Sequence, residues 1–184
     1  LEQSSIIEKL LLDLVDNGLT RVVVNDRELQ EEVQAILDQL QENEKIQVEK
    51  DEEIFFIYNW QEQMIKMQNR KIWLPCGGFI TIDQTEALTA IDVNSGKYTG
   101  KENLERTVLK VNKEASIEIA KQLRLRDIGG IVVIDYIDMQ EESSKQEIIN
   151  VLKENLKKDR AKTQIMEFTK LNLLEMTRKH MWSK

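Results

Sequence analysis

Hydrophobic positions recur at helical and strand spacing along most of the chain, and the pattern changes character near Arg70. In "SSIIEKLLLDLVDNG" the apolar residues Ile6, Ile7, Leu10, Leu11, Leu14 and Val15 form a helical stripe closed by Asn17 and Gly18. "TRVVVN" then reads as a short β-branched strand. In "NDRELQEEVQAILDQL" Asn25 is placed to cap a helix with Glu28 three positions on, and Leu29, Val33, Ile36, Leu37 and Leu40 face one way. "KIQVEK" predicts a second strand, so the crossover through a helix implies a right-handed βαβ unit. A helix holding Trp60, Met64, Ile65 and Met67 is expected next, ending near the basic run 69–71.

Six of the seven glycines lie beyond Arg70, where the backbone demands rise. Two apolar segments, 79–82 and 87–93, flank "DQTE" and predict an antiparallel hairpin with a four-residue loop. A long helix is expected over about 103–126, its inner face carrying Leu104, Val108, Val111, Ala115, Ile119 and Leu123. Gly129 and Gly130 stop it and launch "IVVIDYIDM", whose unbroken apolar character predicts a strand buried on both faces. Ser144 and Glu147 suggest a capping box for a helix running to about Lys158. The tail "TQIMEFTKLNLLEMTRKH" predicts one strand, followed by a strand or short helix that periodicity does not decide.

Composition narrows the options. The 184 residues, 41% hydrophobic, suffice for one large domain or two small ones, and no apolar run approaches the roughly 18–20 residues that cross a bilayer. A cytoplasmic protein is expected. With one cysteine, Cys76, and one histidine, His180, neither an internal disulfide nor a structural zinc is expected. Leu1 in place of an initiating methionine suggests a piece of a longer chain. The net charge is −7, but it is segregated: residues 1–63 hold 16 acids against 5 Lys or Arg, whereas residues 151–184 hold 4 against 9. Lys157, Lys158, Arg160 and Lys162 are therefore candidates for backbone contacts to a polyanion, with a merely solvated helix face as the alternative.

The candidate chemistry sits at strand ends. Asp92 and Asn94, two apart, share one side of the hairpin's second strand, and Asp135 ends a different apolar run that contains no Lys or Arg. Two such carboxylates about 4–5 Å apart would repel by roughly 3–4 kcal/mol at an effective dielectric near 20. A proton or a divalent cation must relieve that, and oxygen ligands with no Cys or His nearby select magnesium, with manganese as the alternative. Asn94 would hold a ligand oxygen, a water or a phosphate by hydrogen bonding. Pattern alone favours a second reading, in which each Asp caps the helix or turn after its strand. "GKYTGKE" fails as a phosphate loop, having three residues between its glycines and a Glu after its lysine. His180 has no evident nucleophile beside it and reads as a surface residue.

"LPCGGFITIDQTEALTAIDVNSG", "EIAKQLRLRDIGGIVVIDYIDM" and "DRAKTQIMEFTKLNLLEMTRKH" closely resemble the catalytic core of the ribonuclease E/G family of bacterial endoribonucleases. The resemblance covers residues 71–184 and extends to 1–70 only in layout. It implies an α/β fold: a mixed β-sheet with flanking helices, in which a small βαβ-type RNase H-like portion (1–70) precedes a DNase I-like catalytic subdomain (71–184). It also implies that Asp92 and Asp135 are metal-binding aspartates and Asn94 the catalytic asparagine, so that the metal reading prevails over capping. Magnesium-dependent cleavage of single-stranded RNA, leaving a 5′-phosphate and a 3′-hydroxyl, follows as an expectation. Asp138 is not among the ligands of that pattern. Family members usually write "DRAR" where this chain has "DRAK", so Lys162 keeps the charge without the bidentate fork. An S1-like RNA-binding domain, a pocket for the RNA 5′ end, a cysteine-bearing zinc linker and a small dimerisation domain belong to the family pattern and fall outside the resemblance. Homo-oligomers are accordingly expected of the full-length parent, and the runner-up function is a non-catalytic RNA-binding or protein-interaction scaffold.

Overall fold

The computed structural model describes residues 5–16, 18–42, 44–96 and 104–181. The turn residue Asn17 and most of "GKYTGKE" thus lie outside the described residues. The chain divides into two compact units, Leu1–Met64 and Ile65–Lys184. In the first, α1 (Ile6–Val15), β1 (Arg21–Val24), α2 (Arg27–Gln39), β2 (Gln47–Lys50) and α3 (Ile54–Ile57) follow in order. Strands β1 and β2 pair in parallel from Arg21 opposite Gln47 to Val24 opposite Lys50. Leu11, Val24, Val33, Leu37 and Ile46 make its small core. Helix α2 is capped by Asp26, whose carboxylate accepts from the Leu29 N–H at 2.8 Å, rather than by Asn25. The helix begins at Arg27, so Asp26 and not Asn25 occupies the N-cap position, where its side-chain oxygen meets an exposed first-turn N–H.

Helix α4 (Trp60–Gln68) carries the division between the units. The second unit holds a six-stranded mixed sheet in the order β3-β4-β5-β6-β8-β7, from β3 (Lys71–Trp73), β4 (Phe79–Gln84), β5 (Thr89–Asn94), β6 (Gly130–Asp135), β7 (Thr163–Phe168) and β8 (Leu173–Arg178). Within this sheet, among the described residues, β5 and β6 are the parallel pair, joined through α5 (Leu104–Leu125); α6 (Glu142–Leu156) connects β6 to β7. Both helices pack on one face, against Ile80, Ile82, Ile91, Val93, Val132, Ile134, Leu174 and Met176.

Several expectations shift here. The β4–β5 loop is 85–88, two residues later than the sequence suggests, because Thr85 closes it through its own N–H and hydroxyl to the Leu88 carbonyl. Strand β6 lies inside the sheet yet is buried on one face only: Ile131 is 50% exposed and Asp135 is exposed. A run of β-branched residues fits a central strand even where one side is open, so apolar continuity overstates the burial. Leu104 is 77% exposed and does not join the α5 stripe. Ser144 lies within α6 and is buried; the helix starts two residues earlier, and the Glu105 carboxylate from α5 accepts from the Gln140 and Glu141 N–H groups instead. Those contacts, the Gln140 one foremost, hold the Glu105 carboxyl below its usual range. The ambiguous tail is a β7–β8 hairpin.

Candidate functional site

The open face of the sheet is where the two acids meet. Asp92 and Asp135 are direct register partners at the carboxyl ends of parallel β5 and β6, so their Cα atoms are about one strand spacing, ~4.8 Å, apart. Alternation along each strand sends both side chains to the face that α5 and α6 leave bare. The Asn94 amide donates to an Asp92 carboxylate oxygen at 2.6 Å. Asn94 is itself fixed from behind: a Cβ on Gly78 would stand 2.8 Å from the Asn94 carbonyl oxygen, and one on Gly96 would stand 2.5 Å from the Gly77 carbonyl. Gly96 also has a φ of +59°, so the turn after the strand closes onto the glycine pair in a way that side chains would obstruct.

Among the described residues, negative charge dominates the electrostatics around Asp135. Burial first, and then the negative charges of Asp92 and Asp138, push the Asp135 carboxyl above its ordinary range. The guanidinium of Arg70 feels Asp92 but is engaged by Asp83 through a two-pronged pair, Nη2 to Oδ2 at 2.6 Å and Nε to Oδ1. Asp138 accepts from Asn172 at 3.3 Å and stands just past the strand end. Among the described residues no group of three or more His, Cys, Asp or Glu side chains is gathered for a metal. Two carboxylates with an amide beside them are nonetheless the donor set that suits magnesium, which takes one or two protein carboxylates and otherwise keeps water or substrate oxygens.

A polar network that the apolar stripe of α5 conceals supports this corner. Asn112, fully buried, donates to the Ile137 carbonyl at 2.8 Å and accepts from the Ile137 N–H at 3.2 Å. One turn further on, the buried Ser116 hydroxyl meets the Tyr136 hydroxyl at 2.8 Å. The residues just after Asp135 are thereby tied to the helix that follows Asp92. The available signal is two polar residues spaced i, i+4 on an inward stripe, where an unpaired polar group is costly.

The basic quartet lies elsewhere. Lys157 caps the end of α6 and pairs with Glu154 at 2.7 Å; Lys158, Arg160 and Lys162 are exposed and lead into β7. Thr163 pairs with Arg178, and Arg178 with Gly130, so the quartet sits where β6 begins. Asp135 ends that strand, five residues and roughly 17 Å away. Lys162 borders a groove of about 330 Å³ with Ile131, Gln164, Thr177 and Lys179 on the same open face. His180 is half-exposed, with Nδ1 3.0 Å from the Asp127 carbonyl and its ring seated over Gly129.

A two-layer α/β unit with one bare sheet face, and an acid pair where its parallel strands end, is the class these observations define. The model of the ribonuclease E/G family matches residues 1–181, and the chain belongs to that family. It is 45% identical over 126 residues to ribonuclease G of Salmonella typhimurium (strain SL1344), covering 68% of this chain and 26% of that protein. Against ribonuclease G of Escherichia coli (strain K12) the identity is 38% over 181 residues, 95% of this chain and 36% of the relative. Ribonuclease E of Buchnera aphidicola (subsp. Schizaphis graminum, strain Sg) is 46% identical over 130 residues, 71% of this chain and 13% of the relative. The chain therefore spans about a third or less of the length of these curated relatives. No described helix is long and apolar enough to cross a membrane.

Proposed function

We propose that this chain is the catalytic portion of an endoribonuclease that hydrolyses single-stranded RNA in RNA processing and decay, with Asp92 and Asp135 holding magnesium, or manganese in its place. Residues 1–70 are read as an RNase H-like portion and 71–184 as a DNase I-like subdomain of a cytoplasmic, homo-oligomeric parent. The observation that carries the reading is the direct pairing of Asp92 with Asp135 across adjacent parallel strands, on the face opposite α5 and α6. The comparisons support the substrate class, since the named relatives are ribonucleases.

Asp92 and Asp135 would hold a hard divalent ion, which would lower the pKa of a bound water and offset charge building on the phosphodiester. Asn94 spends one amide hydrogen on Asp92, fixing that carboxylate, and keeps a second hydrogen and its carbonyl oxygen for an attacking water or a phosphate oxygen. Water oxygen bonds to phosphorus and gives up a proton, the P–O3′ bond breaks with its electron pair on O3′, and O3′ takes up a proton. The products carry a 5′-phosphate and a 3′-hydroxyl.

Thermal unfolding against magnesium concentration tests the ion site without requiring turnover. At a hundred times the dissociation constant, stabilisation should reach about 2.7 kcal/mol, and it should vanish in Asp92→Asn. An unresponsive wild-type chain, or an equal response in the variant, would leave a non-catalytic scaffold as the better account. Backbone contacts by Lys158 and Lys162 are tested separately: reversing both charges should reduce the slope of log affinity against log salt by about 0.7 per lost contact. An unchanged slope removes them from the RNA path.

A further inference from the structure

We infer that Lys71, Trp73 and Phe79 form a stacking subsite for an RNA base adjacent to the proposed cleavage point. The inference rests on the reading of Asp92 and Asp135 as the site of RNA cleavage. Register carries it: Lys71 lies opposite Thr81, which lies opposite Asp92, and Trp73 lies opposite Phe79, which lies opposite Asn94. Residues opposite one another in register share a face, so all of these lie on the bare one, and Trp73 stands two strand spacings, about 10 Å, from Asn94 along one row. A base hanging from a phosphate chain held at Asp92 and Asn94 covers that distance.

The three side chains are already assembled. The Trp73 and Phe79 rings meet edge to face with centroids 5.3 Å apart at 63°. The Lys71 ammonium sits 3.6 Å from the Phe79 ring centroid and 4.2 Å from that of Trp73. Edge-strand lysines guard against strand addition, and Lys71 on the outermost strand has that use. It gives no reason for a tryptophan 63% exposed two positions on. Aromatic rings packed together beside a cation, next to a proposed site for a phosphodiester, are the parts from which single-strand binders build base platforms. Stacking accepts any base, so the subsite contributes affinity with little sequence preference.

The test measures affinity of the 184-residue chain for a single-stranded oligoribonucleotide and for an abasic strand of equal length, by fluorescence anisotropy in calcium buffer. Trp73→Ala should weaken binding to the base-bearing strand by about tenfold, the scale of one lost base–aromatic contact, and leave the abasic strand unaffected. Trp73→Tyr should restore most of the difference. Because Trp73 is exposed, both variants should unfold at the wild-type temperature. Equal weakening toward both strands, or none, overturns the subsite while leaving the acid pair intact. So does a change in self-association with RNA affinity unaltered, which would mark the face as a protein contact. A wild-type chain that binds neither strand overturns the subsite and the proposed substrate together.

Discussion

Asp92→Asn and Asp135→Asn should each slow cleavage of a single-stranded oligoribonucleotide by at least about 100-fold, in a full-length family member carrying this segment. The scale follows from ligand chemistry: disturbing groups that merely orient metal ligands costs about 10–100-fold, so loss of charge from a proposed ligand should meet or exceed the upper figure. Each substitution keeps size and removes one negative charge from a pair whose members face each other across β5 and β6. Both should leave the fold intact, and Asp135→Asn should raise thermal stability in magnesium-free buffer, because it relieves a carboxyl that burial and Asp92 hold above its ordinary range. That opposition of signs, more stable and less active, separates a functional acid pair from two helix caps, whose loss would destabilise. Asp138→Asn is the control: its carboxylate already engages Asn172, and a fall of less than about tenfold is expected. Near-normal cleavage in either principal variant would refute the assignment.

Much of this is legible in the residues, for identifiable reasons. Period-two alternation in "FITID" and "TAIDVN" and helical spacing in 104–125 mark β4, β5 and α5, because their buried faces are mostly apolar at regular spacing, the buried Asn112 and Ser116 of α5 notwithstanding. Two acids ending two apolar runs suggest that Asp92 approaches Asp135, yet their facing register depends on β5 and β6 being neighbours, which a long crossover through α5 does not announce. The bare face is hidden for a related reason: a central strand rich in Ile and Val reads alike whether one side or both are covered. Caps supplied from a distance, such as Glu105 serving α6, have no local signature, whereas the local pair of Ser144 and Glu147 has the right spacing and is not used; Glu147 pairs with Lys113 instead.

The "DRAK" and "EMTRKH" stretches hold the largest expected effect on stability. Arg178 is 1% exposed at its side chain and reaches the equally buried Asp159 carboxylate through Nε at 2.8 Å and Nη2 at 3.2 Å. Its Nη1 donates to Asp127 at 2.8 Å and to the Ile128 carbonyl at 3.0 Å. Burial opposes its charge, but the hydrogen bonds to Asp159 and Asp127 outweigh that and raise the guanidinium further. Arg178→Ala should therefore cost about 3–5 kcal/mol, most of it the penalty for leaving Asp159 buried and unpaired. Arg178→Lys should fall between, since an ammonium cannot reproduce the fork. Replacing Arg178→Met together with Asp159→Leu should recover part of the loss, because no charge is then stranded at the fully buried position and the remaining partner, Asp127, is partly exposed. Urea unfolding checks the series: an Arg178→Ala midpoint near wild type, or a double variant no better than the single, would show that the ion network is not what holds the β7–β8 end together. Arg178 pairs with Gly130 at the start of β6, and Asp135 ends that strand. A destabilised but folded Arg178→Lys chain should consequently keep its stabilisation by magnesium, which a general loosening of the sheet would abolish.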